Sequence, residues 1–240
     1  MYVIRTRATV LLCAVLILCS LGLPSAAMAT SAINVDLHRG DPDPQNAGTP
    51  SNTYAAASSQ AGTWNGVTVL NVGPHPLLDI DGNPSVASLT LSSIIGGRVD
   101  NNPTTFGDDE ALLDDGYNIP DGLTTFVILT VSGLAAGQYQ VYTYAWDPSV
   151  PSNRSTTVDV NGTGVVVVAP PDDVFDGYTI GETHAVHSAT IGAGNDLVIT
   201  ATNTDDFYDQ STVNGFQIVP GAPESTESTT WGAVKARYHE

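Results

Sequence analysis

The stretch GLAAGQYQVYTYAW, residues 133–146, decides the fold. Successive side chains of a β-strand point to opposite faces. Tyr139, Val141, Thr143 and Ala145 therefore share one side, and Gln140, Tyr142, Tyr144 and Trp146 the other. The first set is small enough to pack under a facing sheet beside one tyrosine body. The second concentrates the rings, begins with a glutamine and ends at a polar loop. Two readings of this ring-bearing face stand. It is an open platform, whose same-face residues lie about 6–7 Å apart and so match successive sugar units, or it is a packing face covered by another strand or a long loop.

Outward from this segment, apolar residues alternate or form short β-branched runs bounded by Gly, Asn, Asp and Pro, the pattern of strands. Strands are predicted at residues 32–37, 67–72, 86–94, 124–131, 139–146, 156–160, 165–169, 184–191, 197–201 and 213–219. No amphipathic helix interrupts them beyond one short helical turn around 111–113. The expected fold is all-β, a single-domain antiparallel jelly-roll β-sandwich. TTVDV and TGVVVV flank Asn161-Gly162, a pair suited to the positive φ angles of a hairpin turn. FVILTV and YQVYTYAW, joined through Gly133 and Gly137, are expected to pair antiparallel. The long segment 40–62 is rich in Asp, Pro, Asn, Ser and Ala and holds little to bury; loops of that length are functional or disordered.

The first 29 residues place Arg5 and Arg7 before an apolar run from about Val10 to Leu23, then Ala27-Met28-Ala29, the layout of a cleaved secretory signal. The expected organisation is a signal peptide at 1–29, a β-sandwich at 30–220 and a flexible polar tail with a short terminal helix at 221–240. Both cysteines, Cys13 and Cys19, fall in the leader, so the mature chain has no disulfide and stability must come from core burial, helped by a bound ion. The whole chain carries a formal charge of −18 from 7 basic and 25 acidic residues, and loss of Arg5 and Arg7 takes it to 5 − 25 = −20. Such a surface repels nucleic acid and anionic lipid. The mature chain is expected to have no membrane span.

The pattern LTVSGLAAGQYQVYTYAWD, followed by PSVPSNRS, VDVNG and a closing VNGFQIVP, resembles secreted bacterial β-sandwich domains of the galactose-binding-like or carbohydrate-binding-module type. INVDLHRGD and AGTWN are similar to the same group. The resemblance spans roughly 32–220, with short, fold-level motifs. It implies glycan or polysaccharide binding by loop residues at one end and, in many members, a structural Ca²⁺. Carried over by position, it places Trp146, Asp147, Asn153 and Arg154 near a ligand site, where strand parity also sets Tyr142 and Tyr144; Trp64 and Tyr208 are either further rings of that site or loop-packing residues. It also implies a calcium joining the first strand to the last loops, for which Asp36 and Asp206 are the candidates. Arg154 offers a planar donor fork for a diol or carboxylate, or an ordinary salt bridge.

Other carboxylates cluster at Asp41/Asp43, Asp79/Asp81, Asp108/Asp109/Glu110, Asp114/Asp115 and Asp205/Asp206. DIDGN shares part of an acidic calcium loop but lacks its third acid and distant Glu. His184 and His187 stand three apart on a strand and so are expected on opposite faces, half-exposed. No nucleophile elbow, zinc signature or phosphate loop is present. With 25 acids a glycosidase-like pair cannot be singled out. The tail is similar at its start, in VPGAPES, to bacterial PEP-CTERM sorting tails, but lacks their apolar span and terminal arginines. The reading is a secreted, extracellular or cell-surface module that binds carbohydrate without catalysis. The alternative is a structural or adhesive matrix protein with no small-molecule ligand.

Overall fold

The computed structural model describes residues 31–40, 48–92, 96–99, 102–120, 125–147, 154–204 and 210–221. The leader and the tail beyond 221 lie outside them. Among the described residues the chain forms fourteen strands and one short helix. Five strands make one sheet in the order β11 (His184–Ile191), β8 (Gly137–Tyr144), β14 (Gly215–Pro220), β1 (Ile33–His38) and β2 (Trp64–Thr68). Six make the opposing sheet: β10 (Val165–Val168), β9 (Thr156–Val160), β12 (Leu197–Asn203), β7 (Phe126–Ser132), β4 (Pro84–Leu91) and β3 (His75–Leu78). A small third sheet orders β13 (Ser211–Val213), β6 (Asp115–Ile119) and β5 (Gly97–Val99), with helix α1 (Asp108–Leu113) leading into β6. The all-β sandwich is thus the observed fold.

Alternation produces the core. On β1, Ile33, Val35 and Leu37 face the facing sheet's Val127, Leu129 and Val131 of β7 and Ile199 of β12, all buried in one apolar cluster. Tyr139, Val141 and Ala145 enter the same cluster from β8 and its end, as their shared parity requires. Each fully buried aliphatic side chain contributes about 1.5–3 kcal/mol.

Three expectations are corrected. β7 and β8 do not pair: β7 lies between β12 and β4, whereas β8 lies between β11 and β14 in the other sheet. Had they been neighbours, their apolar faces would lie side by side; placed in opposite sheets, they bury each other. The crossing turn begins at Gly133, with φ 84°, where an added Cβ would stand 2.3 Å from the Val86 carbonyl oxygen. The ladders are antiparallel except that β1 and β2 run parallel, and such a pair needs a long crossover, which the segment after β1 supplies. The predicted strand 213–219 is two strands split at Asn214, one in the small sheet and one in the large. The hairpin at Asn161-Gly162 is borne out: φ is 51° and 71°, and β9 and β10 pair antiparallel around it.

Candidate functional site

The outer face of the five-stranded sheet differs in kind from the core face. It carries Asn34 and Asp36 from β1, Tyr142 and Tyr144 from β8, and Gln217 from β14, with Trp146 just beyond β8. Alternation across β8 therefore falls as the sequence predicts, but the face is not open. Tyr144 and Trp146 are 0% and 1% exposed, and Tyr142 is half-buried. This corrects the open-platform reading.

Two segments supply the cover. The first, residues 48–63, lays Tyr54, Ala56 and Ala57 against the rings. The second, residues 170–183, adds Phe175 and Tyr178. Ring centroids lie 5.6 Å apart for Trp146 and Phe175, 5.3 Å for Phe175 and Tyr178, and 5.5 Å for Tyr144 and Tyr178, the last two edge-to-face. Those are favourable aromatic geometries. Trp64 joins the same cluster, its Nε1 donating to the Tyr54 carbonyl at 3.1 Å. The loop expected to bury little is thus packed down by a tyrosine and two alanines that composition alone disguised.

Hydrogen bonds fix the cover. The Tyr144 hydroxyl donates to Gln217 Oε1 and accepts from Ala57 N–H at 3.0 Å. Gln217 Nε2 donates to Asn34 Oδ1 at 2.9 Å and to the Ala55 carbonyl at 3.3 Å. Asn34 Nδ2 donates to the Gln60 carbonyl at 3.1 Å. At the far end the Tyr54 hydroxyl meets Asp109 and the Tyr178 hydroxyl, which itself donates to Asp109 at 3.2 Å. Asp108 accepts from Ser51 N–H at 2.6 Å and from its hydroxyl at 2.8 Å. The acids in the first turn of α1 therefore tether the cover. Burial foremost pushes the Tyr54, Tyr144 and Tyr178 hydroxyls well above the usual phenol range, so they act as donors.

The remaining candidates fall as follows. Asp147 is 2% exposed and pairs with Arg154, whose Nη1 lies 3.1 Å from its Oδ2. Arg154 is thus committed to an internal ion pair. Asn153, Asp206 and Tyr208 lie outside the described residues. His184 and His187 do face opposite ways, but both are buried rather than half-exposed, at 3% and 5%. His184 stacks against Tyr142 at 6.0 Å, and burial lowers its pKa to about 4. Asp79 in DIDGN spends one oxygen on the N–H groups of Asp81 and Asn83, at 3.0 and 2.8 Å, so that acid pair closes a turn.

Asp36 is 0% exposed, and its neighbour in space is Asp115, 4% exposed, at the start of β6. None of their four carboxylate oxygens has a hydrogen-bond partner. Burial first, and then the other carboxylate, pushes Asp36 well above the ordinary range; the Thr49 hydroxyl nearby eases this without a well-aligned hydrogen bond. Burial and the adjoining Asp114 push Asp115 up to about 8. Oxygen-only donors of this kind suit a hard cation such as Ca²⁺; Asp36 is the strand-side candidate of the sequence, and Asp115, its neighbour here, lies far along the chain in a segment reading as loop.

A cleft opens beyond β8. About 90 Å³ in volume, it is lined by Trp146, Pro171, Asp172, Asp176, Glu182 and others of the covering segment.

No family model matches the chain, and no curated protein matches it. Solved structures similar to it include CBM35 from Cellvibrio japonicus Abf62, at 15% identity over 57% of this chain and 94% of that one, TM-score 0.35. A family 35 carbohydrate binding module from Clostridium thermocellum is similar at 17% identity over 43% and 88%, TM-score 0.28. The plant receptor-like kinase ANX2 is similar at 9% identity over 78% and 46%, TM-score 0.46. At this level of similarity the fold rests on the chain's own sheets.

Proposed function

We propose that the protein is a secreted, non-catalytic carbohydrate-binding module whose sugar contact is the cleft beside Trp146. The observation that carries the reading is the placing of Asp172, Asp176 and Glu182 around that cleft, beside the exposed Pro171 and Val174. Carboxylates accept hydrogen bonds from sugar hydroxyls, while the apolar wall takes a C–H-rich pyranose edge. At about 90 Å³ the cleft is well below the ~300 Å³ of drug-sized pockets. It therefore admits only the edge of one sugar unit, held weakly. Its acids repel uronates, so the ligand class is a neutral glycan.

Affinity gel electrophoresis on neutral and uronate-bearing polysaccharides tests this. The expected result is retardation by a neutral polysaccharide only, lost in an Asp176→Asn/Glu182→Gln variant of unchanged melting temperature. No retardation of the wild-type protein on any neutral polysaccharide overturns it.

A second reading, structural or adhesive self-association, is favoured by β10. This edge strand is paired to β9 on one side. It presents Val165 and Val167, 65% and 49% exposed, with Ile180 at 64%. Exposed β-branched edges invite pairing with another chain.

A further inference from the structure

We propose that Tyr54 and Tyr178 form an oxidative cross-linking site, where two one-electron oxidations join them as a dityrosine that staples the two covering segments together. The site stands apart from the glycan reading, which rests on the carboxylates of the cleft. The two hydroxyls hydrogen-bond to each other from positions 124 residues apart in the chain. Tyr54 belongs to the first covering segment and Tyr178 to the second, and both pack on the rings beneath. Each is half-buried, within reach of a small oxidant.

The surroundings single out this pair. A phenol gives up an electron readily only when its proton has somewhere to go, and burial keeps both phenols protonated. The Asp109 carboxylate accepts hydrogen bonds from both hydroxyls, that of Tyr178 at 3.2 Å. It is therefore placed to take each proton as the electron leaves. Neighbouring tyrosines lack such a base. Tyr144 donates to the Gln217 amide oxygen, and Tyr139 to the Ala135 carbonyl at 2.7 Å. Tyr144 also packs edge-to-face on Tyr178, with centroids 5.5 Å apart, but turns its hydroxyl away to Gln217.

Each oxidation removes one electron from a ring and one phenolic proton, which passes through Asp109 to solvent. The two phenoxyl radicals then pair their unpaired electrons in a C–C bond between carbons ortho to the oxygens. The two ortho hydrogens move to the oxygens and restore both phenols. The net loss is two protons and two electrons, the electrons going to two equivalents of the oxidant. The product holds its hydroxyls side by side, as the folded chain already does. Both cysteines, Cys13 and Cys19, precede the sandwich, so this bond supplies a staple that a disulfide does not. Closing so long a loop removes chain entropy from the unfolded state.

The test uses the mature chain, dilute enough to stay monomeric, oxidised by photogenerated tris(bipyridyl)ruthenium(III) with persulfate as the terminal electron acceptor. The expected product is a monomer lighter by two hydrogens, with blue dityrosine emission and a link mapped by peptide mass to Tyr54 and Tyr178. It should melt several degrees above the unoxidised protein. Tyr54→Phe keeps the ring and should lose both the link and the gain in melting temperature. If it fails to fold, the wild-type peptide map still decides. Asp109→Asn keeps an acceptor oxygen but not the base, and should slow cross-linking several-fold. Dityrosine that maps only to other tyrosines, or only between chains, overturns the proposal. So does a Tyr54–Tyr178 link that forms as fast in urea-unfolded protein or in Asp109→Asn as in the folded wild type. Polysaccharide retardation is read on the unoxidised protein, so the sugar reading stands or falls separately.

Discussion

The Phe175 ring covers the Trp146 indole, with centroids 5.6 Å apart and planes inclined at 58°. A residue from a loop thus seals the ring at the end of β8. Phe175→Ala should uncover Trp146 and shift its fluorescence to longer wavelength, with faster quenching by acrylamide. The half-buried ring is expected to cost about 1–3 kcal/mol, below the 3–5 of a full core phenylalanine. Unchanged emission and quenching would show that Phe175 is not the cover.

Gln217 is the joint between the outer face and the loop above it. Gln217→Leu keeps the volume but strands the buried Tyr144 hydroxyl and both Asn34 and the loop carbonyls it now serves. Each buried group left unpaired costs about 1–3 kcal/mol, so a loss of about 2–4 kcal/mol in urea unfolding is expected. Tyr144→Phe, which frees only Ala57 N–H and one amide oxygen, should cost less. A smaller loss for Gln217→Leu than for Tyr144→Phe would contradict the network.

These relationships show what could be read from the chain. Strand parity at β8 was legible because alternation is local: Val141 inward and Tyr144 outward follow from position alone. The hairpin at Asn161-Gly162 was legible because the turn's φ angles select those residues. The sheet to which a strand belongs was not, since β7 and β8 meet through a turn compatible with either pairing and only core burial decides. Strands β5 and β6 were missed because GRV and DGYNI read as loop; their pairing is set by the surrounding structure. The cover over the rings was missed because Tyr54, Phe175 and Tyr178 sit singly in polar segments, although an aromatic in such a run is itself a weak sign of docking. Asp36 stood out on a strand, while its neighbour Asp115 was one acid among many.

His184 sets an acid-side dependence. Its pKa falls to about 4 in the folded protein, chiefly through burial, from an ordinary value of 6.5. The folded state therefore binds fewer protons than the unfolded state between those values. The stability it permits is complete above pH 6.5 and is lost as pH falls toward 4. His184→Phe should remove that loss, so the wild-type minus variant difference in unfolding free energy from urea titrations should widen against the wild type by roughly 1–3 kcal/mol from pH 7.5 to pH 4.5. Because other titrating groups are common to both proteins, a difference that does not change with pH would refute the assignment.

The edge strand β10 separates the two functional readings. A self-associating protein should sediment with a concentration-dependent coefficient, and Val167→Lys should abolish that dependence by placing a charge at the pairing edge. Val167 is 49% exposed, so the substitution fits without disturbing the core, which Val168 serves at 0%. Val86→Lys, at an exposed site (84%) on β4 that is paired on both sides, provides the control. If sedimentation is concentration-independent for the wild-type protein, with and without Ca²⁺, the matrix reading fails. If association instead persists in Val167→Lys and is lost in Val86→Lys, the contact lies on the sheet face rather than its edge, and β10 is not the interface.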